Sequence, residues 1–223
     1  MNGIDGPAEV SAVGTIARPM RKDALRNQEA VLTAAREVIS ESGVEASMEQ
    51  IATRAGVGVG TLYRHYPNKQ ALVDELVRII LDELISTARA GLEDELGHGL
   101  ETFLRAFGRS LARHHGYSAQ LFSPGNEEHQ QQLNALIGQL HSQAGQHGRI
   151  SPGVALGDVR ALMWALRGIV AVTGRNAPDA WQRHLDLHLA ALRADPLPSS
   201  RPAVSDDQLL RIAAAQRDRR PPR

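Results

Sequence analysis

From Asp23 to Leu192 the apolar residues of this chain return at three- and four-residue intervals, and no convincing alternating pattern of a strand interrupts them. Such a chain buries helix faces, so the expected fold class is all-α. The first run, Val31, Leu32, Ala35, Val38 and Ile39, is free of Pro and Gly and predicts an amphipathic helix that stops at Gly43, with Asp23 where an N-cap would stand.

The next two helices are short. Ser47 suits an N-cap, with Gln50 as its capping-box partner, and Met48, Ile51, Ala52 and Ala55 face inward before Gly56 stops the helix. A third helix starts at Gly58 or Val59 and runs through Leu62 and Tyr63. Pro67 ends it, because a residue before proline is pushed out of helical geometry. Asn68 then caps a long fourth helix carrying Leu72, Leu76, Ile79, Ile80 and Leu84 as far as about Gly91, long enough to bridge two domains. Four more helical patterns follow, at 98–115, 126–147, 155–174 and 178–193.

A chain of 223 residues suggests one large or two small domains at about 150 residues per domain. Two are expected: an N-terminal three-helix unit over 23–75 and a helical unit over 76–194. Residues 1–22, rich in Gly, Ala and Pro and ending in Arg18-Pro19-Met20-Arg21-Lys22, are expected to be a disordered basic arm. Residues 195–223, with five prolines and a closing basic cluster, are expected to be a disordered tail with at most one helical turn around Leu209-Leu210.

Composition removes several classes of protein. The absence of cysteine excludes disulfides, iron–sulfur clusters and thiolate zinc sites, and suits a reducing compartment. No apolar run approaches the ~20 residues that span a bilayer, and the start lacks the layout of a signal peptide. A cytoplasmic protein without a membrane partner is expected. The 25 basic residues equal the 25 acidic ones, so any nucleic-acid contact has to come from local placement of Arg and Lys.

The segment from Ser47 to Lys69 has the spacing of a helix-turn-helix. Ala52 is small where two helices cross, Gly56 suits the left-handed turn, and Val57 and Leu62 fill the space beneath. The second helix offers Gly58 and Gly60, where missing side chains let backbone approach a phosphate or base edge, and then Thr61, Tyr63, Arg64 and His65 as donors. Short helix pairs with exposed Tyr and His also occur in proteins that never touch DNA, so spacing alone leaves both readings open.

The run Ile51-Ala52-Thr53-Arg54-Ala55-Gly56-Val57-Gly58-Val59-Gly60-Thr61-Leu62-Tyr63-Arg64-His65-Tyr66-Pro67-Asn68-Lys69 closely resembles the DNA-binding domain of TetR-family regulators. The resemblance extends upstream to Ala34-Ala35-Arg36 and downstream to Ala71-Leu72, and covers about residues 24–75. It implies that Thr61, Tyr63, His65 and Lys69 face phosphates and that Gly58, Val59, Gly60 and Arg64 lie nearest base edges. Ser47 and Met48 would sit where the preceding helix start meets the DNA backbone. Arg64 is the expected specificity residue, since Arg pairs bidentately with guanine. Tyr63 as a half-buried packing residue, and His65 and Lys69 as solvated surface groups, are the alternatives.

The resemblance further implies a repressor that binds a palindromic double-stranded DNA operator as a homodimer and is released by a small-molecule effector. The dimer would use the last two helices, with Leu162, Leu166, Ile169, Val170, Trp181, Leu185, Leu189 and Leu192 as the seam; the same stripes suit an intramolecular core equally. An effector pocket would draw on Phe103, Phe107, Leu136, Leu140, Met163 and Trp164, again with core packing as the alternative.

Three rival classes compete with this reading. His184 and His188 have the four-residue spacing of two metal ligands, but the accompanying Glu of a zinc protease is missing, and no metal or cofactor is expected. An enzyme would need a nucleophile and base in one constellation or a phosphate loop between strand and helix, and neither is present in the pattern. A purely helical interaction module would leave Thr61 to Lys69 without a task.

Overall fold

The computed structural model describes residues 17–212, apart from 115, 118, 119, 122–124, 175, 196–198, 206 and 210. Among these residues the chain forms eight α-helices: α1 (Ala17–Ser42), α2 (Met48–Ala55), α3 (Val59–His65), α4 (Lys69–Leu92), α5 (Gly99–Arg113), α6 (Glu127–Gln146), α7 (Leu156–Thr173) and α8 (Ala180–Leu192). A 3-10 turn at Gly43–Glu45 joins α1 to α2, and no described residue lies in a strand. The fold is all-α, as the periodicity predicts.

α2 packs on α1 and α3 on α2, while α5 and α6 pack on α4 and α7 and α8 pack on α5 and on each other. α4 belongs to both groups: 24 residues at ~1.5 Å each carry it about 36 Å from one end of the molecule to the other. It buries the expected stripe of Leu72, Leu76, Ile80 and Leu84 and a second one of Val73, Val77, Leu81 and Ile85, because it is packed by α5 and α6 together. One contiguous apolar core therefore runs through both groups.

Two boundaries differ from expectation. α1 starts at Ala17, inside the stretch expected to be an arm, so Asp23 is a helical residue and not a cap. Pro19 is compatible with this, since proline fits the first turn of a helix, where its missing N–H has no partner to lose. Residues 1–16 and the side chains of Arg18, Arg21 and Lys22 lie outside the described residues, so the basic arm rests on the sequence alone.

The second difference is at the C-terminus. Part of the expected tail packs back on the bundle: Leu209 is buried, and residues 207–209 are helical. The Val204 carbonyl presses on α7 at Gly157, where an added Cβ would come within 1.9 Å of that oxygen. A proline-rich, polar composition conceals this strap because its anchors are single groups, one leucine side chain and one backbone carbonyl. Residues 213–223 lie outside the described residues.

Candidate nucleic-acid interface

α2 and α3 are fixed by local chemistry that the sequence announces. Ser47 Oγ accepts from the N–H of Gln50 at 3.2 Å, and Gln50 Oε1 accepts from the N–H of Ser47 at 2.9 Å, which closes the capping box. Gly56 takes φ +68 at the end of α2, and the N–H of Val57 returns to the carbonyl of Ala52 at 3.0 Å. A side chain in that left-handed conformation would be strained, and glycine is not. Ile51, Ala52 and Leu62 are buried beneath the crossing, with Val57 partly so.

α3 ends as the proline requires. Tyr66 has an extended backbone (φ −130, ψ 98), its N–H closes on Leu62, and its ring is buried beside Gln28, where burial pushes the phenol above its usual pKa. Asn68 Oδ1 accepts from the N–H of Ala71 at 2.8 Å and starts α4 as expected.

With the apolar side of α3 committed to the core, its other side is open. Val59 and Tyr63 are 41% and 43% exposed, and Gly58, Gly60, Arg64 and His65 are exposed beside them. Thr61 and Lys69 are half-buried at the margins. The Tyr63 hydroxyl reaches Glu49 Oε1 at 3.5 Å, so the ring stands on the surface and is not a packing residue.

Gly58 and Gly60 are not required by the fold. Gly58 has φ −65, its nearest approach to an added Cβ is Thr61 Oγ1 at 3.8 Å, and nothing lies within 4 Å of one at Gly60. Arg64 and His65 close α3 and Lys69 opens α4, so within this net-neutral chain basic side chains gather at the end of α3.

Met48 departs from its expected role. Its side chain is buried, so only the backbone at the start of α2 remains for an outside partner. The inward periodicity of Met48, Ile51 and Ala52 decides this.

A clamp went unrecognised in the sequence. Arg54 on α2 donates to Glu37 Oε2 at 3.0 Å and to both oxygens of Glu41, the shorter contact being 2.9 Å, so one guanidinium ties α2 to α1. Exposed pairs of this kind add little stability singly, but a planar fork shared by two carboxylates fixes an orientation. Partners that are 13 and 17 residues away leave no periodic trace.

The residues expected at a dimer seam are mostly inside the single chain. Leu162, Leu166, Val170, Trp181, Leu185 and Leu189 are buried, and Ile169 and Leu192 pack partly against the same core. The intramolecular alternative is the one the fold realises, because α7 and α8 spend their longest apolar stripes on each other and on α5. Gly168 and Val172 on α7 and Leu187 on α8 are exposed, while Ala161 and Ala165 are half-buried in a groove that the 199–203 segment also lines. Val172 is 85% exposed and Leu187 58%.

The residues expected around an effector are also packed. Phe103, Phe107, Leu136, Leu140 and Met163 are buried, the two phenyl rings stack at 6.3 Å, and Trp164 is half-buried. A cleft of about 270 Å³ lies instead at the distal end of the bundle, between the start of α5 and the ends of α6 and α8, and none of the six lines it. The rings of His184 and His188 lie 4.0 Å apart, tilted by 45°, and no group of three or more metal-ligating side chains occurs among the described residues.

The architecture defines an all-helical helix-turn-helix protein with a second helical unit behind its reading head. Comparison with known proteins agrees. The family model for "Bacterial regulatory proteins, tetR family" matches residues 31–76. An HTH-type transcriptional regulator of Staphylococcus aureus (strain bovine RF122 / ET3-1) is 40% identical over 68 residues, which are 30% of this chain and 37% of that protein. The match thus spans little more than a third of the curated relatives' length.

Two solved structures extend the likeness. The TetR transcription regulatory protein from Mycobacterium vanbaalenii is 30% identical, with a TM-score of 0.57, over 79% of this chain and 100% of the other. A TetR transcriptional regulator from Streptomyces coelicolor is 29% identical, with a TM-score of 0.56, over 74% of this chain and 98% of the other. The chain belongs to the TetR family of bacterial regulatory proteins. No described helix is long and apolar enough to cross a membrane.

Proposed function

We propose that this chain is a sequence-specific, DNA-binding transcriptional regulator, a cytoplasmic repressor and not an enzyme, that leaves a palindromic operator when a small molecule binds. One observation carries the proposal: the outward side of α3 is open and cationic at its end, and its two glycines answer to nothing inside the protein. Ligands that approach a backbone closely account for such glycines, as a DNA groove does. Arg64 stands nearest the base edges, with Thr61, Tyr63, His65 and Lys69 around it as phosphate partners and Ser47 and the backbone of Met48 at the start of α2.

Family membership and the exposed Gly168, Val172 and Leu187 support a homodimer through α7 and α8. Small residues let helices of two copies approach closely, and burying Val172 and Leu187 supplies apolar area. A two-fold dimer would present two α3 helices to half-sites roughly 34–36 Å apart.

Fluorescence anisotropy tests the proposal. The protein is titrated into a palindromic fragment from upstream of its own gene and into a scrambled control, at two salt concentrations. Preference for the upstream fragment by roughly 10³-fold or more, falling with salt, is the expected result. Equal weak binding to that pair and to every fragment selected from random DNA would overturn it.

A further inference from the structure

The distal cleft has no part in the packing of the reading head, and its walls are built rigidly. Gly99 at the start of α5 crosses Gly91 of α4 so closely that an added Cβ would lie 2.1 Å from the Gly91 carbonyl oxygen. Gly97 turns with φ +75 against His147. Gln143 ties the corner by donating to the carbonyls of Leu92 and Asp94 at 3.0 and 3.2 Å. A cleft with such walls is preformed and costs a ligand little ordering.

Its chemistry is two-sided. Leu100, Ile150, Leu189 and Leu192 give it an apolar wall, and Arg149, Arg193 and one acid, Glu101, complete the polar side of its lining. Asp94, the nearby acid, already accepts from the N–H groups of Leu96 and His98, each at 2.9 Å, and these bonds hold its pKa below the usual value. Arg149 is steadied by its Nε, which donates to the carbonyl of Leu96 at 2.7 Å. Arg193 pairs with Glu101, but Glu101 also holds Arg105 at 3.0 Å, and Arg105 reaches Asp186 at 2.8 Å. Arg193 can therefore turn to a ligand without leaving Glu101 unpaired.

From this we infer that the distal cleft binds a small organic carboxylate: the carboxylate on Arg149 and Arg193, a compact apolar body against Leu100, Ile150, Leu189 and Leu192. Arginine forks match a carboxylate bidentately. The volume of about 270 Å³ lies just below the roughly 300–1,000 Å³ of ligand pockets in general, so the occupant has the size of a substituted benzoate. Gly97 and His98 of the lining belong to the loop that follows α4, so binding here acts beyond the end of the helix that leads into the reading head. That last consequence rests on the regulatory function proposed above; the binding does not.

The test is calorimetric titration of the full chain with 4-methylbenzoate and with uncharged 4-methylbenzamide. One equivalent of the acid per chain is expected, with the amide at least ten-fold weaker. Arg149→Ala and Arg193→Ala should each weaken the acid by roughly ten-fold or more, the size of a lost charged hydrogen bond, with an unchanged melting temperature. Leu192→Trp should block it by filling the cleft while both arginines stay. No uptake of the acid, equal binding of acid and amide, or indifference to both arginine substitutions would overturn the inference. The anisotropy assay without ligand is read separately. Operator binding without carboxylate uptake removes this site alone, and arginine-dependent uptake without operator binding removes only the regulatory function.

Discussion

The hydroxyl of Tyr117 lies 2.8 Å from Nδ1 of His114, and both side chains are buried where the end of α5 meets α1. The chain is close enough to α1 here that a Cβ at Gly116 would come within 2.5 Å of the Ile39 carbonyl oxygen. The positive charge of Arg36 on α1 acts on both groups. The reading head is thus joined to the rest of the molecule by this close backbone approach as well as by α4. Beside it, the phenol and the uncharged imidazole share one hydrogen bond.

That arrangement makes stability pH-dependent. Burial first, and then the charges of Arg36 and Arg113, lower the pKa of His114 from 6.5 to about 4. Between those values the unfolded chain binds more protons than the folded one, so stability is complete above about 6.5 and is lost as pH falls toward 4. The loss attributable to His114 is at most about 3 kcal/mol. Urea unfolding at pH 7.5 and 5.0 should show a flatter pH dependence for His114→Gln than for the wild type. Equal slopes would remove His114 as the cause.

Gly60→Ala should separate folding from function. Nothing lies within 4 Å of an added Cβ, and alanine is favoured over glycine inside a helix by roughly 0.5–1 kcal/mol, so the melting temperature should hold or rise. Operator affinity should nevertheless fall, because the methyl group stands where a groove would approach. Unchanged affinity in the anisotropy assay would argue that α3 does not face DNA at this position.

Arg64 and Lys69 should fail differently. Arg64→Ala is expected to cost about 1–3 kcal/mol on the operator and to relax the base preference at one position. Lys69→Ala should weaken binding evenly over all sequences and reduce the salt slope by about one phosphate contact. Equal losses on every sequence for both variants would deny Arg64 a base-reading role.

Gly157→Ala should release the C-terminal strap. The methyl group would meet the Val204 carbonyl, so the segment that buries Leu209 has to move, at a cost of about 1–3 kcal/mol. Arg211 is exposed at the end of that segment, and trypsin should cut there faster in the variant than in the wild type. Identical digestion would mean that the strap holds without this contact.

Much of the reading head is legible in the residues themselves. The Ser47 box with Gln50, the left-handed Gly56, the stop before Pro67 and the Asn68 cap are all interactions within five residues, so composition and spacing are enough to specify them. The all-helical class follows in the same way from a periodicity that only helices satisfy.

Partner choice belongs to the tertiary structure. A stripe such as Leu162, Leu166 and Val170 states that it will be buried and leaves open against what; α5 and α8 cover it within one chain, and the seam expected from the pattern becomes core. The Arg54 clamp, the approach of Gly116 to Ile39 and the Gly91–Gly99 crossing each join residues that no local period connects. Short-range hydrogen bonds depend on backbone conformation alone and can be read along the chain. Burial against a particular neighbour depends on which helices share a core, and that is decided only when the whole chain has packed.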